Sequence, residues 1–158
     1  MILTLIQGFI FILYVAFIWY KFNGPLPSIS DSMYRLRELG GMWYWLFTFF
    51  CWGIAIPLLF QTPGPTSLFY YSAAGLCFVG VATMFKLKDT FVPYVHFIGA
   101  AMGIIFSLLA IGVERHGWLP AIVFVVLALL IKLFKIKNSM WWIEIVAFVT
   151  ILTGLLIY

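Results

Sequence analysis

Six apolar stretches, each close to the length of a membrane-spanning helix, make up most of this 158-residue chain. A helix needs roughly 20 mostly apolar residues to cross the hydrocarbon core of a bilayer. A soluble domain could not hide so much apolar surface, because 65% of the residues are hydrophobic and only 9% are charged. The pattern predicts membrane spans at residues 2–20, 42–60, 68–85, 93–113, 119–134 and 140–158.

The fold that these stretches predict is a single all-α domain, an integral membrane bundle of about six transmembrane helices over residues 1–158. Tryptophan and tyrosine recur near the ends of the stretches, where an aromatic belt meets the lipid headgroups. The fifth stretch is the shortest, with 13 apolar residues before Lys132. Its ammonium group must therefore reach the membrane surface if this stretch crosses.

The longest connection, residues 21–41, predicts a short interfacial helix after the first span. Its first part, NGPLPS, is expected to be extended because prolines and glycine interrupt helices. The next segment, DSMYRLREL, predicts a helix that is capped by Ser30 or Asp31 and ended by Gly40–Gly41. Asp31 and Arg35 are one helical turn apart, a spacing that favours an ion pair.

The basic residues lie almost entirely on one side of the predicted bundle. The connections after the first, third and fifth stretches contain eight of the nine lysines and arginines, and the other side has only Arg115. The positive-inside rule places the basic side in the cytoplasm, with both chain termini non-cytoplasmic. These residues are spread over short loops, so no nucleic-acid partner is expected. The eight are Lys21, Arg35, Arg37, Lys86, Lys88, Lys132, Lys135 and Lys137.

Most side chains that could carry chemistry also lie on the basic side. The acid/base candidates are His96, Asp89, Asp31 and Glu144. A carboxylate within an apolar stretch needs a partner or a position at the headgroup level, and Lys137, Lys135 or His96 could be the partner of Glu144. The alternative is that these are ordinary interfacial residues at helix ends, so whether the protein is an enzyme stays open. The residues predicted to bind a ligand are Ser30, Asp31, Arg35, Arg37, Lys86, Lys88 and His96.

The sequence predicts neither a metal site nor a cofactor. The two histidines, His96 and His116, are expected on opposite sides of the membrane, so they cannot share one ion. Cys51 and Cys77 both lie within apolar runs, where cysteine usually serves as a small core residue.

Small residues recur every fourth position on the fourth stretch, at Gly99, Gly103 and Ser107. Such a stripe allows another helix to approach closely. That helix could come from the same chain or from a second copy, and packing within the chain is the default expectation.

Two segments resemble a known family. The segment LPSISDSMYRL and the segment VHFIGAAMGIIFSLL are similar to the ISD-type loop and the H-x-x-G-A helix start of the FRAG/DRAM/Sfk group of six-span membrane proteins and their small bacterial relatives. The resemblance implies a six-helix bundle and, as for some relatives, a link to lipid remodelling or membrane lipid organisation. In that group the loop is expected outside the cytoplasm, whereas the basic residues here place it inside. The matching residues are Ile29, Ser30, Asp31, His96, Gly99 and Ala100.

These observations are compatible with three hypotheses about the function of the protein. The leading hypothesis is a membrane protein that binds lipid headgroups at the cytoplasmic leaflet or helps to modify them, because arginine and lysine suit phosphate. The first alternative is a non-enzymatic assembly protein that packs on other membrane proteins or on a second copy. The second alternative is a small channel or transporter, which would need polar groups through the middle of the membrane, where this sequence has few.

Overall fold

The computed structural model describes residues 1–84, 86 and 91–158. Over these residues the chain is all-helical and contains no strand. Each predicted stretch contains one helix, and a further short helix lies in the longest connection. The described helices are α1 (Ile2–Lys21), α2 (Ser32–Leu39), α3 (Trp43–Leu59), α4 (Phe69–Val81), α5 (Val92–Leu109), α6 (Leu119–Leu133) and α7 (Ser139–Ile157).

Three of these helices are long and apolar enough to cross a membrane, rather than the six predicted. They are α1, α7 and α5 together with the π-helical turn Ala110–Glu114 that extends it. Helices α3, α4 and α6 have 17, 13 and 15 residues. At 1.5 Å per residue they are about 26, 20 and 22 Å long, less than the ~30 Å of a typical hydrocarbon core.

The largest difference from the prediction concerns residues 68–85. Helix α4 ends at Val81, so only part of this apolar stretch is helical, and residue 85 lies outside the described residues. Ala82 has φ −80° and ψ 54°, which is not helical backbone. Hydropathy therefore located the stretch but not the residue at which the helix ends.

The helices run alternately up and down, so their connections gather at two ends. We call one end the basic end, formed by residues 22–42, 82–84, 86, 91 and 134–138. The other is the terminal end, formed by both chain termini and the connections at residues 60–68 and 115–118. Helix α4 packs between α3 and α5, α7 packs against α6 and α1, and α6 lies at the periphery.

Polar side chains lie inside the bundle and apolar ones cover its outside. Gln7, Ser72 and His96 are buried. Large apolar side chains such as Phe9 and Leu129 are each 64% exposed. This distribution suits a bundle surrounded by lipid, because apolar side chains can then face outward without cost.

The predicted small-residue stripe packs against α4 of the same chain. A Cβ atom added to Gly75 would lie 2.5 Å from the carbonyl oxygen of Gly99. The hydroxyl of Ser72 donates to the carbonyl oxygen of Gly103 at 2.9 Å and is hydrogen-bonded to the hydroxyl of Ser107. Close approach of the two helix backbones and these polar contacts together join α4 to α5.

Helix α2 lies in the predicted segment but is held differently from the prediction. It ends at Gly40, whose φ of 70° favours glycine. Neither Ser30 nor Asp31 caps it through a side chain; instead the amide of Asp31 donates to the hydroxyl of Ser28 at 2.9 Å. Arg35 pairs with Glu38 at 3.2 Å rather than with Asp31, whose buried carboxylate pairs with Lys86.

Candidate functional site

The hydroxyl of Ser30 is the centre of a buried polar cluster at the basic end. Its oxygen lies 3.0 Å from Nε2 of His96 on α5 and 3.4 Å from Oε1 of Glu144 on α7. Ser30 itself belongs to the connection after α1. Three segments that are far apart in the chain therefore meet at one hydroxyl group.

A backbone carbonyl orients the imidazole of His96. Nδ1 lies 2.9 Å from the carbonyl oxygen of Ala82, the residue that follows α4. A carbonyl oxygen can only accept, so Nδ1 carries the hydrogen of this bond. Nε2 is thereby directed at Ser30, and the ring is only 2% exposed.

The first turns of α7 hold the extended segment that precedes α2. Oε2 of Glu144 accepts a hydrogen bond from the amide of Ile29. The amide of Trp141 donates to the carbonyl oxygen of Pro27 at 3.2 Å, and Nδ2 of Asn138 donates to that of Pro25 at 2.7 Å. This segment is thus fastened along one side of α7.

The three alternative partners considered for Glu144 do not contact its carboxylate directly in the described part of the chain. No described interaction joins it to Lys135 or Lys137, and His96 is linked to it through Ser30. The sequence could not predict the Ile29 amide as a partner of Glu144, because every non-proline residue offers the same backbone donor.

An ion pair lies next to the Ser30 cluster. The buried carboxylate of Asp31 accepts a hydrogen bond from the Ser28 hydroxyl at 3.0 Å and pairs with the ammonium group of Lys86. That ammonium also lies 4.9 Å from the centre of the Tyr34 ring, whose hydroxyl accepts from the Lys86 amide at 2.6 Å. The side chain of Lys86 is nevertheless 55% exposed, so one side of it faces outward.

The two predicted arginines lie outside the buried cluster. Both Arg35 and Arg37 are exposed on α2. Arg37 lies 2.9 Å from the sulfur of Met84 and about 6 Å from the Tyr44 ring. The other two predicted site residues, Lys88 and Asp89, lie outside the described residues. The structure thus brings together Ser30, Asp31, Lys86, His96 and Glu144, and leaves the arginines at the rim.

A small cavity adjoins the cluster inside the bundle. It has a volume of about 50 Å³, and Ser30, Glu144 and Cys51 are among the residues that line it. A second cavity of about 30 Å³, lined in part by Gln7 and Ser107, lies deeper. Each is large enough for at least one water molecule. The two share the apolar wall residues Leu76, Ile104, Ala147 and Phe148.

A second polar network, absent from the sequence prediction, lies at the terminal end. Nε2 of Gln7 donates to the carbonyl oxygen of Ile54 at 2.7 Å, and Gln61 donates to Gln7 at 2.8 Å. Arg115 donates to the carbonyl oxygens of Gln61 at 3.0 Å and Leu155 at 3.4 Å. Gln7 could have indicated this network, because it is the one amide side chain in the first apolar stretch and a buried amide needs hydrogen-bond partners.

The charged residues of this network support the turns around them. Burial lowers the pKa of Arg115, and the nearby carboxylate of Glu114 opposes that change. Glu114 accepts hydrogen bonds from the Ser67 hydroxyl at 2.7 Å and from the Leu68 amide at 2.5 Å, at the start of α4. A carboxylate at a helix N-terminus is favourably placed toward the helix dipole.

Among the residues that the structure describes, no three histidine, cysteine, aspartate or glutamate side chains are grouped so as to hold a metal ion. Comparison with known proteins adds no further assignment: no protein-family model, no curated protein and no solved structure matches this chain significantly.

Proposed function

We propose that this chain is a six-pass membrane protein that binds anionic lipid headgroups at the cytoplasmic leaflet, through its basic end. The apolar outer surface and the three long apolar helices support membrane insertion. The short helices would cross with the help of flanking apolar residues and a locally thinner bilayer. The concentration of basic residues at one end supports the orientation.

The observation that carries the headgroup proposal is the position of Arg37 and Lys86. Both have exposed side chains at the basic end. An outward-facing apolar groove of about 530 Å³ between α4 and α5 reaches the same end, where Phe91 and Tyr94 line it. An acyl chain in this groove would bring its phosphate to the level of Arg37 and Lys86, whose exposed cationic groups can donate hydrogen bonds to it.

In this account the buried cluster holds the headgroup site in place rather than contacting the lipid. Ser30 and Glu144 fix the segment before α2, and Asp31 fixes Lys86. Since α2 carries Arg35 and Arg37, these contacts set the positions of the exposed cations. The sequence predicted Ser30 and His96 as ligand-binding residues. In this proposal they position the exposed cations and do not contact the lipid.

The packing of the small-residue stripe favours the lipid proposal over the assembly alternative, which used this stripe and the aromatic belts as contact surfaces. The stripe of Gly99, Gly103 and Ser107 is occupied by α4 of the same chain, so it does not present a free face to a partner. The transport alternative would require a connected polar route, whereas the wall shared by the two internal cavities is apolar.

The test compares lipid binding by two double variants that lose the same charge. Purified protein is titrated with phosphatidylglycerol or phosphatidylcholine, and bound lipid is measured by native mass spectrometry. Arg37→Gln with Lys86→Gln should weaken phosphatidylglycerol binding by roughly 2 kcal/mol, or about 30-fold, at about 1 kcal/mol per cation.

The matched control is Lys135→Gln with Lys137→Gln, which removes two charges at the same end but away from the groove. It should leave binding within a few-fold of wild type. If both double variants weakened phosphatidylglycerol binding equally, binding would depend on general surface charge and the proposed site would be wrong. Unchanged binding by the first double variant would also contradict the proposal.

A further inference from the structure

We propose that Glu144, Ser30 and His96 form a buried proton-binding site, in which one proton is shared between the carboxyl group and the imidazole through the serine hydroxyl. This site is separate from the exposed cations and goes beyond lipid binding. The ligand is a proton. It is held by Glu144 from α7, Ser30 from the connection before α2, and His96 from α5.

The Ser30 hydroxyl has one hydrogen but faces two potential acceptors, Nε2 of His96 and Oε1 of Glu144. Nδ1 of His96 already uses its hydrogen toward the carbonyl oxygen of Ala82. With a neutral imidazole and an ionised carboxylate, one of the two contacts to Ser30 would lack a hydrogen. One additional proton satisfies both.

That proton has two possible positions. In the first form it lies on Oε1 of Glu144, which donates to Ser30, while Ser30 donates to Nε2 of His96. In the second form Nε2 is protonated and donates to Ser30, which donates to the Glu144 carboxylate. Moving between them transfers one proton from Oε1 to the Ser30 oxygen and one from that oxygen to Nε2. The number of protons and the total charge stay the same.

The surroundings favour a site in which one proton decides the charge. Among the described residues, the titratable groups facing it are Asp31 and Lys86 from the loops, Tyr14 from α1 and Cys51 from α3. Asp31 and Lys86 pair with each other, so together they add no net charge. The cavity of about 50 Å³, which Glu144 and Ser30 line, has room for a water molecule beside the carboxyl group.

Loss of the shared proton would weaken the hold of α7 on the segment before α2. The Ser30 oxygen would then face either Nε2 of His96 or Oε1 of Glu144 with no hydrogen between the two atoms, and that contact would no longer be a hydrogen bond. The amides of Ile29 and Ser30 would still bond to Glu144, so the weakening would be confined to the contacts of the Ser30 hydroxyl.

Imidazole nitrogen NMR can test the proposal because the chain has only two histidines. Protein labelled with ¹⁵N-histidine is titrated in detergent or nanodiscs, and His116→Gln assigns the His96 signals. Wild-type His96, when singly protonated, should carry its hydrogen on Nδ1. Infrared spectroscopy, with Glu144→Gln as the assignment variant, reports whether the Glu144 carboxyl is protonated.

Near neutral pH, wild-type protein should show either a protonated Glu144 or a doubly protonated His96. Glu144→Gln keeps the shape of the side chain but removes the titrating carboxylate. It should lower the doubly protonated share of His96 at a given pH and move its titration by about one pH unit or more, as for coupled groups. Ser30→Ala, which removes the bridge, should also shift it. Glu38→Gln removes an equal charge from an exposed position and should not.

A singly protonated His96 together with an ionised Glu144 near neutral pH would overturn the proposal. So would an unchanged His96 titration in both Glu144→Gln and Ser30→Ala, or a hydrogen on Nε2 instead of Nδ1 in the singly protonated ring. If Glu144→Gln does not fold, the position of the hydrogen on singly protonated His96 in wild-type protein and the His96 titration in Ser30→Ala still decide the question.

Discussion

The hydroxyl oxygen of Ser30 lies 3.0 Å from Nε2 of His96, although 66 positions separate the two residues in the chain. Both side chains are buried. The contact joins the connection after α1 to the first turns of α5, and the bond from His96 to Ala82 extends it to the end of α4. A single imidazole thus ties together three parts of the basic end.

Removing the Ser30 hydroxyl should destabilise the protein. Ser30→Ala removes the hydroxyl that contacts Nε2 of His96 and Oε1 of Glu144, and the loss of a buried hydrogen-bonding group costs about 1–3 kcal/mol. The free energy of unfolding, measured by tryptophan fluorescence in mixed micelles, should fall by that amount. Thr66→Ala removes an exposed hydroxyl and should change it by less than about 0.5 kcal/mol. Equal effects of the two substitutions would contradict the central role of Ser30.

The contact between α4 and α5 should not tolerate one added methyl group. A Cβ at position 75 would lie 2.5 Å from the Gly99 carbonyl oxygen and 2.7 Å from Cβ of Met102. Gly75→Ala should therefore lower the free energy of unfolding by about 1–3 kcal/mol through overpacking. Gly8→Ala is the control, because a Cβ there meets nothing within 4 Å. If Gly75→Ala were as stable as Gly8→Ala, the close approach of the two helices would be wrong.

Arg115 should stabilise the terminal end through its hydrogen bonds rather than through charge alone. Arg115→Gln removes donors from the carbonyl oxygens of Gln61 and Leu155 and should lower the melting temperature in detergent, with a loss of about 1–3 kcal/mol. Lys132→Gln removes the same charge from an exposed side chain and should have a much smaller effect. A similar loss of stability in both variants would show that net charge, and not the hydrogen bonds of Arg115, causes the effect.

Much of the fold could be predicted from the order of apolar residues. The six stretches, the short helix near DSMYRLREL and its end at Gly40 all correspond to helical elements or their ends. The length of α4 could not be predicted, since hydropathy does not report where the backbone leaves the helical conformation. Residues 82–84 are apolar or small, yet they form no helix.

The candidate site was predictable only in part. Ser30, Asp31, His96 and Glu144 could be named because polar side chains near the ends of apolar stretches are few. Their partners could not, since the amide of Ile29 and the carbonyl of Ala82 are backbone groups that carry no sequence signal. The pairing of Asp31 with Lys86 instead of Arg35 depends on a contact between two loops, whereas the prediction considered only one helix.

The number of crossings and the cytoplasmic position of the basic end underlie the proposed function. They can be mapped by cysteine labelling in a background in which Cys51 and Cys77 are replaced by alanine. Single cysteines are introduced at Glu38 and Lys137 in the basic end and at Gly64 and His116 in the terminal end. Intact cells are treated with a membrane-impermeant maleimide before and after permeabilisation.

We expect the cysteines at positions 64 and 116 to be labelled in intact cells, and those at positions 38 and 137 only after permeabilisation. The reverse pattern would contradict the cytoplasmic orientation and favour the side that the family resemblance implies. Labelling of positions 116 and 137 from the same side would show that α6 does not cross, and the six-pass account would be wrong.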